Sequence, residues 1–368
     1  MSDVLRQISS IGTSIWLDDL SRERLVSGGS ARSLREVIEK DSVVGVTTNP
    51  AIFSSAISNS PLYRDDIRAL HKDGADIESI ITSLTSSDVS AACELFADVN
   101  QRSGGIDGRV SIEVDPRLAR DTQATITQAR QLWRNIDKPN LLIKVPATKE
   151  GLPAIQTLIA EGISVNVTII FSVKRYQEVL DAFISGLEDR RAQGLSLAGI
   201  HSVASFFVSR VDTEIDARLR ATSKDPALEG KAALANARLA YQHFLTVNNS
   251  QRWRDLAALG ALPQRPLWAS TGVKDPAYDP CMYVTELLAP QTVNTMPEAT
   301  LNYVRESGKR VTESITEHFA SAQQTIATLL EENIDIEEVA TKLENEGIDK
   351  FIKPWLHLIE TVTRVAEE

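Results

Sequence analysis

One lysine stands inside an otherwise hydrocarbon run, LLIKVP at residues 141–146. An ammonium in such a run is cut off from water, and desolvation penalises its charged form. A neutral lysine amine attacks carbonyl carbon and forms a Schiff base. That chemistry needs groups that carry protons between carbinolamine, iminium and enamine, and carboxylates do this work. Asp18 lies in the run TSIWLDD (13–19) and Glu113 in RVSIEVD (109–115), so two acids accompany Lys144. Each has a plain alternative: a strand-end ion pair for Lys144 or Glu113, a helix cap for Asp18. The three together favour covalent catalysis.

These residues need elements that bring them to one place. Short Val/Ile/Thr-rich runs alternate with longer helical stretches along the chain, at 13–19, 43–49, 109–115, 140–146, 164–171, 201–208, 265–271 and 283–289. Parallel strands joined by crossover helices cover both faces of a sheet, and this number of units predicts a closed (β/α)₈ barrel of the α/β class. Helices are expected at 121–136 and at 172–193, the second opened by a Ser cap. The long connections 50–108 and 209–264 read as several helices each, the glycines around Gly28 and Gly104 as turns. The tail after Pro297 reads as a helical cap with a break or kink at Pro354. One domain over 1–368 is expected, with its barrel core at about 13–297 and the cap at about 298–368.

Strand alternation assigns faces, because neighbouring side chains point to opposite sides. Val165, Val167 and Ile169 oppose Ser164, Asn166 and Thr168; Val110, Ile112 and Val114 oppose Ser111, Glu113 and Asp115. With the apolar sets turned to the helices, Asp18, Asn49, Glu113, Lys144, Asn166, Thr168 and Ser205 project inward near the carboxyl ends of the strands, where barrel enzymes do their chemistry. Arg210 and Lys274 follow the sixth and seventh runs, a common place for phosphate in barrels, and Ser270 and Gly272 add hydroxyl and backbone donors.

Composition narrows the partners. The 368 residues carry 39 Lys and Arg against 50 Asp and Glu, a formal charge of −11, with 42% hydrophobic positions. An acidic surface repels nucleic acid and anionic lipid, so neither is an expected partner. The start has charges where a secretory signal needs an apolar core, and no apolar stretch reaches membrane length, which points to a cytoplasmic protein. Cys93 and Cys281 read as buried small hydrophobes. The five histidines show no HxH or HExxH spacing and no GxGxxG or GxxxxGK[ST] string occurs, so neither a zinc site nor a nucleotide fingerprint is supported.

The strings GVTTNPAIF, SIEVDPRLA, NLLIKVPAT, GISVNVTIIFS, SFFVSRVD and WASTGVKDP, in this order, resemble the transaldolase family from about residue 13 to 297, and LENEGIDKF resembles its C-terminal helices. The resemblance implies a class I aldolase-type barrel without metal or organic cofactor. It would move a dihydroxyacetone unit from sedoheptulose 7-phosphate to glyceraldehyde 3-phosphate, giving erythrose 4-phosphate and fructose 6-phosphate, in the pentose phosphate pathway. It places the Schiff base on Lys144, the acid/base aspartate on Asp18 and the proton relay on Glu113. Asn49 and Ser205 would bind hydroxyls of the dihydroxyacetone unit, Asn166 would bind near the Schiff base, Thr168 would hold a catalytic water and Arg210 a phosphate. Many members carry a second arginine where this chain has Gly272, and Lys274 is the candidate replacement. The aldolase branch tends to carry tyrosine where this chain has Phe207. Sugar phosphates are the expected partners, and the chain is expected to be a monomer or homodimer. The rival readings are a fructose-6-phosphate aldolase on the same site and a catalytically silent sugar-phosphate-binding barrel.

Overall fold

A computed structural model describes residues 3–26, 32–222 and 226–368. Eight parallel strands close into a barrel in sequence order: β1 (Thr13–Leu17), β2 (Val43–Val46), β3 (Arg109–Glu113), β4 (Leu141–Pro146), β5 (Val165–Ile170), β6 (Ser202–Phe207), β7 (Arg265–Ala269) and β8 (Thr292–Met296), with β8 pairing back onto β1. Crossover helices cover the outside as expected. Thr122–Ile136 is capped by Asp121, and Val173–Ala192 by Ser172, whose hydroxyl accepts from the Arg175 amide. The two long connections hold helices, among them Ile77–Leu95 in the first and Ala232–Asn248 in the second. Gly104 sits in a turn with φ of +62°, whereas Gly28 lies outside the described residues. Among the described residues no helix is long and apolar enough to cross a membrane. Both cysteines are buried.

The eighth strand is not where the apolar run 283–289 suggested. Met282–Thr285 is a short helix, Leu287 to Ala289 are buried against the barrel wall, and Pro290 ends the run. The true β8, TVNTM, is rich in polar residues because its hydroxyls and amide have partners inside the protein. Thr292 Oγ1 meets Thr13 Oγ1 at 2.9 Å, and Asn294 Nδ2 donates to the Tyr283 carbonyl at 3.1 Å. Those bonds offset the cost of burying polar atoms, so hydropathy alone misses the strand.

β5 also departs from simple alternation. Its pairing with β6 shifts between Val167 and Ile170, and Ile169 has φ of +56°. A β-branched residue rarely adopts that conformation, so this segment stores strain directly beside Thr168.

The tail holds the helices Glu298–Glu306, Phe319–Glu331 and Ile336–Glu367, the last of which runs through Pro354 without the expected break. Val339, Leu343, Gly347, Phe351, Leu358, Val362 and Val365 are buried along it, and their spacing of three, four or seven forms the apolar stripe of an amphipathic helix. Polar contacts fix its position over the carboxyl end of the barrel: Ser172 Oγ donates to Glu337 at 3.0 Å, Lys342 meets Glu214 at 2.7 Å and Arg175 meets Glu344 at 3.4 Å. Pairs of this kind contribute at most about 1 kcal/mol each, so the buried stripe supplies most of the docking energy.

Inside the barrel, Gly45 of β2 makes room for Trp16 of β1. A Cβ at position 45 would lie 2.5 Å from the indole, which is fully buried. Gly45→Ala should therefore destabilise the protein by about 1–3 kcal/mol, the usual cost of overpacking, as a lower denaturant midpoint. An unchanged midpoint would mean that the indole moves aside at no cost.

Candidate active site

Lys144 lies in the middle of β4, flanked in register by Glu113 of β3 and Asn166 of β5. Its side chain points into the barrel and is only 5% exposed. The ammonium nitrogen is 3.2 Å from Glu113 Oε2 and donates to the Thr48 carbonyl at 3.1 Å. The face of Phe351, from the C-terminal helix, lies 5.7 Å away. Burial pushes the Glu113 carboxyl above the ordinary carboxylate value, and the charge of Lys144 opposes the rise. The contact brings an amine and a carboxyl within proton-transfer distance of each other in a site of low dielectric.

Asp18 follows β1 and accepts a 2.6 Å hydrogen bond from Thr47 Oγ1. Thr47 has one proton to give, so Thr295 must be the donor in the 2.6 Å contact between the two threonine hydroxyls. Burial raises the Asp18 carboxyl as well, with Lys144 and the Thr47 bond opposing. Asp18, Lys144, Asn49, Ser205, Arg210, Ser270, Gly272 and Lys274 line one cavity of about 190 Å³ at the carboxyl ends of the strands.

Asn49 is not in a strand. It caps the helix Pro50–Asn59, its Oδ1 accepting from the amides of Ala51 and Ile52 at 3.0 Å each. The cap fixes which way the amide points and leaves its NH₂ as the group that can meet a ligand. Ser205 Oγ donates to Asn166 Oδ1 at 2.7 Å, and Asn166 Nδ2 donates to Ser111 Oγ at 3.0 Å. Ser205 thus offers acceptor lone pairs to the cavity, while Asn166 stands behind it, fully buried. Thr168 is likewise buried, and its Oγ1 has no protein partner. A narrow cleft of about 20 Å³, enough for one water, reaches Glu113 past Gln128 and Trp355.

The cationic side of the cavity is Arg210, with Lys274 exposed at the rim. The guanidinium carbon lies 5.3 Å from the Phe207 ring and 6.0 Å from that of Phe351. Burial lowers its proton affinity, while Asp18 and Glu346 counteract that loss. Ser270 Oγ meets Ser209 Oγ at 3.0 Å, and its backbone φ of +56° turns the chain sharply after β7. A Cβ on Gly272 would lie 3.4 Å from Thr300 Oγ1. The position is therefore close to neighbours but not filled by a cation.

Three contributors escaped sequence reasoning. Thr47 and Thr295 orient Asp18, and TTN beside TVNTM is a faint signal for that pair. Phe351 covers Lys144 and Arg210 from a helix some two hundred residues along the chain, and only the LENEGIDKF string pointed towards it.

Comparison with known proteins agrees with this geometry. The family described as Transaldolase/Fructose-6-phosphate aldolase matches residues 15–362. A protein of Mycolicibacterium smegmatis named Transaldolase is 54% identical over 358 residues, covering 97% of this chain and 95% of its own length. One of Thermobifida fusca with the same name is 50% identical over 366 residues, covering 99% and 98%. Transaldolase 1 of Streptomyces avermitilis is 52% identical over 360 residues, covering 97% and 94%. At this identity over nearly the whole of each chain, the protein belongs to the transaldolase/fructose-6-phosphate aldolase family.

Proposed function

We propose that this protein is a transaldolase that carries a dihydroxyacetone unit on Lys144 from sedoheptulose 7-phosphate to glyceraldehyde 3-phosphate. The observation that carries the reading is the buried amine of Lys144, 3.2 Å from Glu113 in a cavity that also holds Asp18 and Arg210. The phosphate end of the ketose binds at Arg210 and Lys274. Asn49 donates to, and Ser205 accepts from, hydroxyls of the transferred unit.

Neutral Lys144 attacks the ketose carbonyl carbon, and the resulting carbinolamine loses its hydroxyl as water after taking a proton from Glu113 through a bridging water. Thr168 Oγ1 and the Glu113 oxygens are the atoms suited to hold that water. Asp18 takes the proton of the hydroxyl two carbons away. The bond between the hydroxyl-bearing carbon and the carbon next to the iminium breaks, its electron pair moves into the iminium, and an enamine stays on the lysine as the aldose phosphate leaves. The acceptor aldehyde then adds to the enamine, Asp18 returns its proton to the new hydroxyl, and water releases the ketose. Cleavage and re-formation use the same groups in opposite order.

Phe207 supports transfer over net hydrolysis. It lines the cavity under Arg210, where a tyrosine hydroxyl could protonate the enamine or assist water, and a phenyl ring does neither.

Borohydride reduction in the presence of fructose 6-phosphate should fix the dihydroxyacetone unit on the peptide containing Lys144, and Lys144→Ala should show no adduct; an unlabelled wild-type protein would exclude the covalent route. Fructose 6-phosphate alone should give a single turnover's worth of bound enamine and no continuing release of dihydroxyacetone. Steady release without acceptor would favour the aldolase reading.

Asp18→Asn should lower turnover by about 10²–10⁴-fold, the usual contribution of a positioned acid/base. Its effect on stability runs the other way. Because the native carboxyl is raised above its unfolded value, the folded state holds a proton that the unfolded state has already lost. Stability from this group is present below the ordinary carboxylate range and declines as pH rises through the raised native value. The variant should therefore gain stability relative to wild type as unfolding is measured at successively higher pH, and a constant difference would contradict the burial cost assigned to Asp18.

A further inference from the structure

The opposite mouth of the barrel, at the amino ends of the strands, holds a separate cavity of about 470 Å³, within the range of ligand sites. Trp16, Leu142 and Val203 line it. Each lies two residues before an inward group of the upper cavity, namely Asp18, Lys144 and Ser205, and so shares that group's face of its strand. These apolar side chains form the partition between the two cavities.

The wall of the lower cavity is cationic. Arg109 is 2% exposed, yet its acceptors are carbonyls: Nε and Nη2 donate to Gly105 and Nη1 to Pro139. Those bonds use three of its five N–H groups and supply no opposing charge. Arg265 donates to Ser14 Oγ at 2.9 Å and pairs with Asp107 at 3.0 Å. Asp107 is the sole carboxylate among the described lining residues, so two guanidinium groups face one acid. His201 completes the wall. A Cβ on Gly105 would lie 3.2 Å from His201 Nε2 and 3.4 Å from Arg109 Nη2, which places both groups around the same point. Burial and the two arginines hold the imidazole down at about 3, and burial with the repulsion of Arg265 lowers Arg109 to about 9. A buried cation without a counter-ion is costly, and the cavity beside it is large enough to admit one.

We propose that this lower cavity is a second binding site, for a small organic anion whose single carboxylate or phosphate sits between Arg109, His201 and Arg265 and whose apolar body lies against the accessible side chains of Val44, Ile106, Leu262 and Pro263. Burial is the larger reason that His201 stays neutral and the two arginines add to it; the anion offsets the arginine part, so binding raises the proton affinity of that imidazole.

The test uses the full chain with phenyl phosphate and benzoate as probes, and inorganic phosphate and benzyl alcohol as controls, followed by calorimetry and imidazole NMR. In the Arg210→Ala protein, whose upper phosphate site is removed, one or both organic anions should bind with one equivalent per chain, and each control about tenfold or more weaker. The bound anion should shift the His201 resonance, assigned with His201→Gln, towards its protonated position. Arg265→Met should weaken binding by about tenfold or more, whereas Arg210→Ala in the upper cavity should leave it unchanged. Should Arg265→Met fail to fold, the His201 shift in wild type decides alone. No His201 shift at millimolar probe, equal binding of benzyl alcohol or of inorganic phosphate, or binding lost in Arg210→Ala and kept in Arg265→Met would each overturn the proposal.

Discussion

The contact between Lys144 and Glu113 is the constraint around which the upper half of the barrel is arranged. A lysine in the inner layer of a closed sheet has little access to water, so its side chain needs polar partners within the barrel. Parallel pairing of β3 and β4 places the two residues directly opposite each other, and the Thr48 carbonyl accepts a hydrogen bond from the Lys144 nitrogen. Phe351 lies over the pair and lowers the local dielectric further. Neither acid nor amine would be tolerated singly at this depth.

Around that pair, hydrogen bonding decides what each polar group can offer. Ser205 and Asn49 have opposite polarity towards the cavity because their other functions are already occupied, one by Asn166 and the other by a helix amide. Asp18 is held by Thr47, which is itself held by Thr295. The cavity thus presents a fixed pattern of donors and acceptors before any substrate arrives, which is how a site avoids reorganisation during reaction.

Much of this was legible in the chain because strand alternation has a period of two. The inward placement of Glu113, Lys144, Asn166 and Ser205 follows from neighbours in the same strand, Asp18 lies immediately beyond the end of β1, and Arg210 lies in the first turn of the helix that follows β6. Features made by distant pairings were not legible. β8 hides its buried hydroxyls and amide among polar letters, and the apolar residues 287–289 that mimic a strand pack from outside. The bulge at Ile169 depends on how β5 meets β6 rather than on local composition. Pro354 signals a break wherever it stands in a helix, but the buried residues on both sides of it keep Ile336–Glu367 continuous. The cover supplied by Phe351 required the position of a whole helix.

That helix gives the molecule an order of assembly. Every strand of the barrel precedes Ile336–Glu367 in the chain, so a ribosome completes all the inward groups before it makes the ring that shields Lys144. The aromatic cover over the amine is therefore the last part of the site to be put in place.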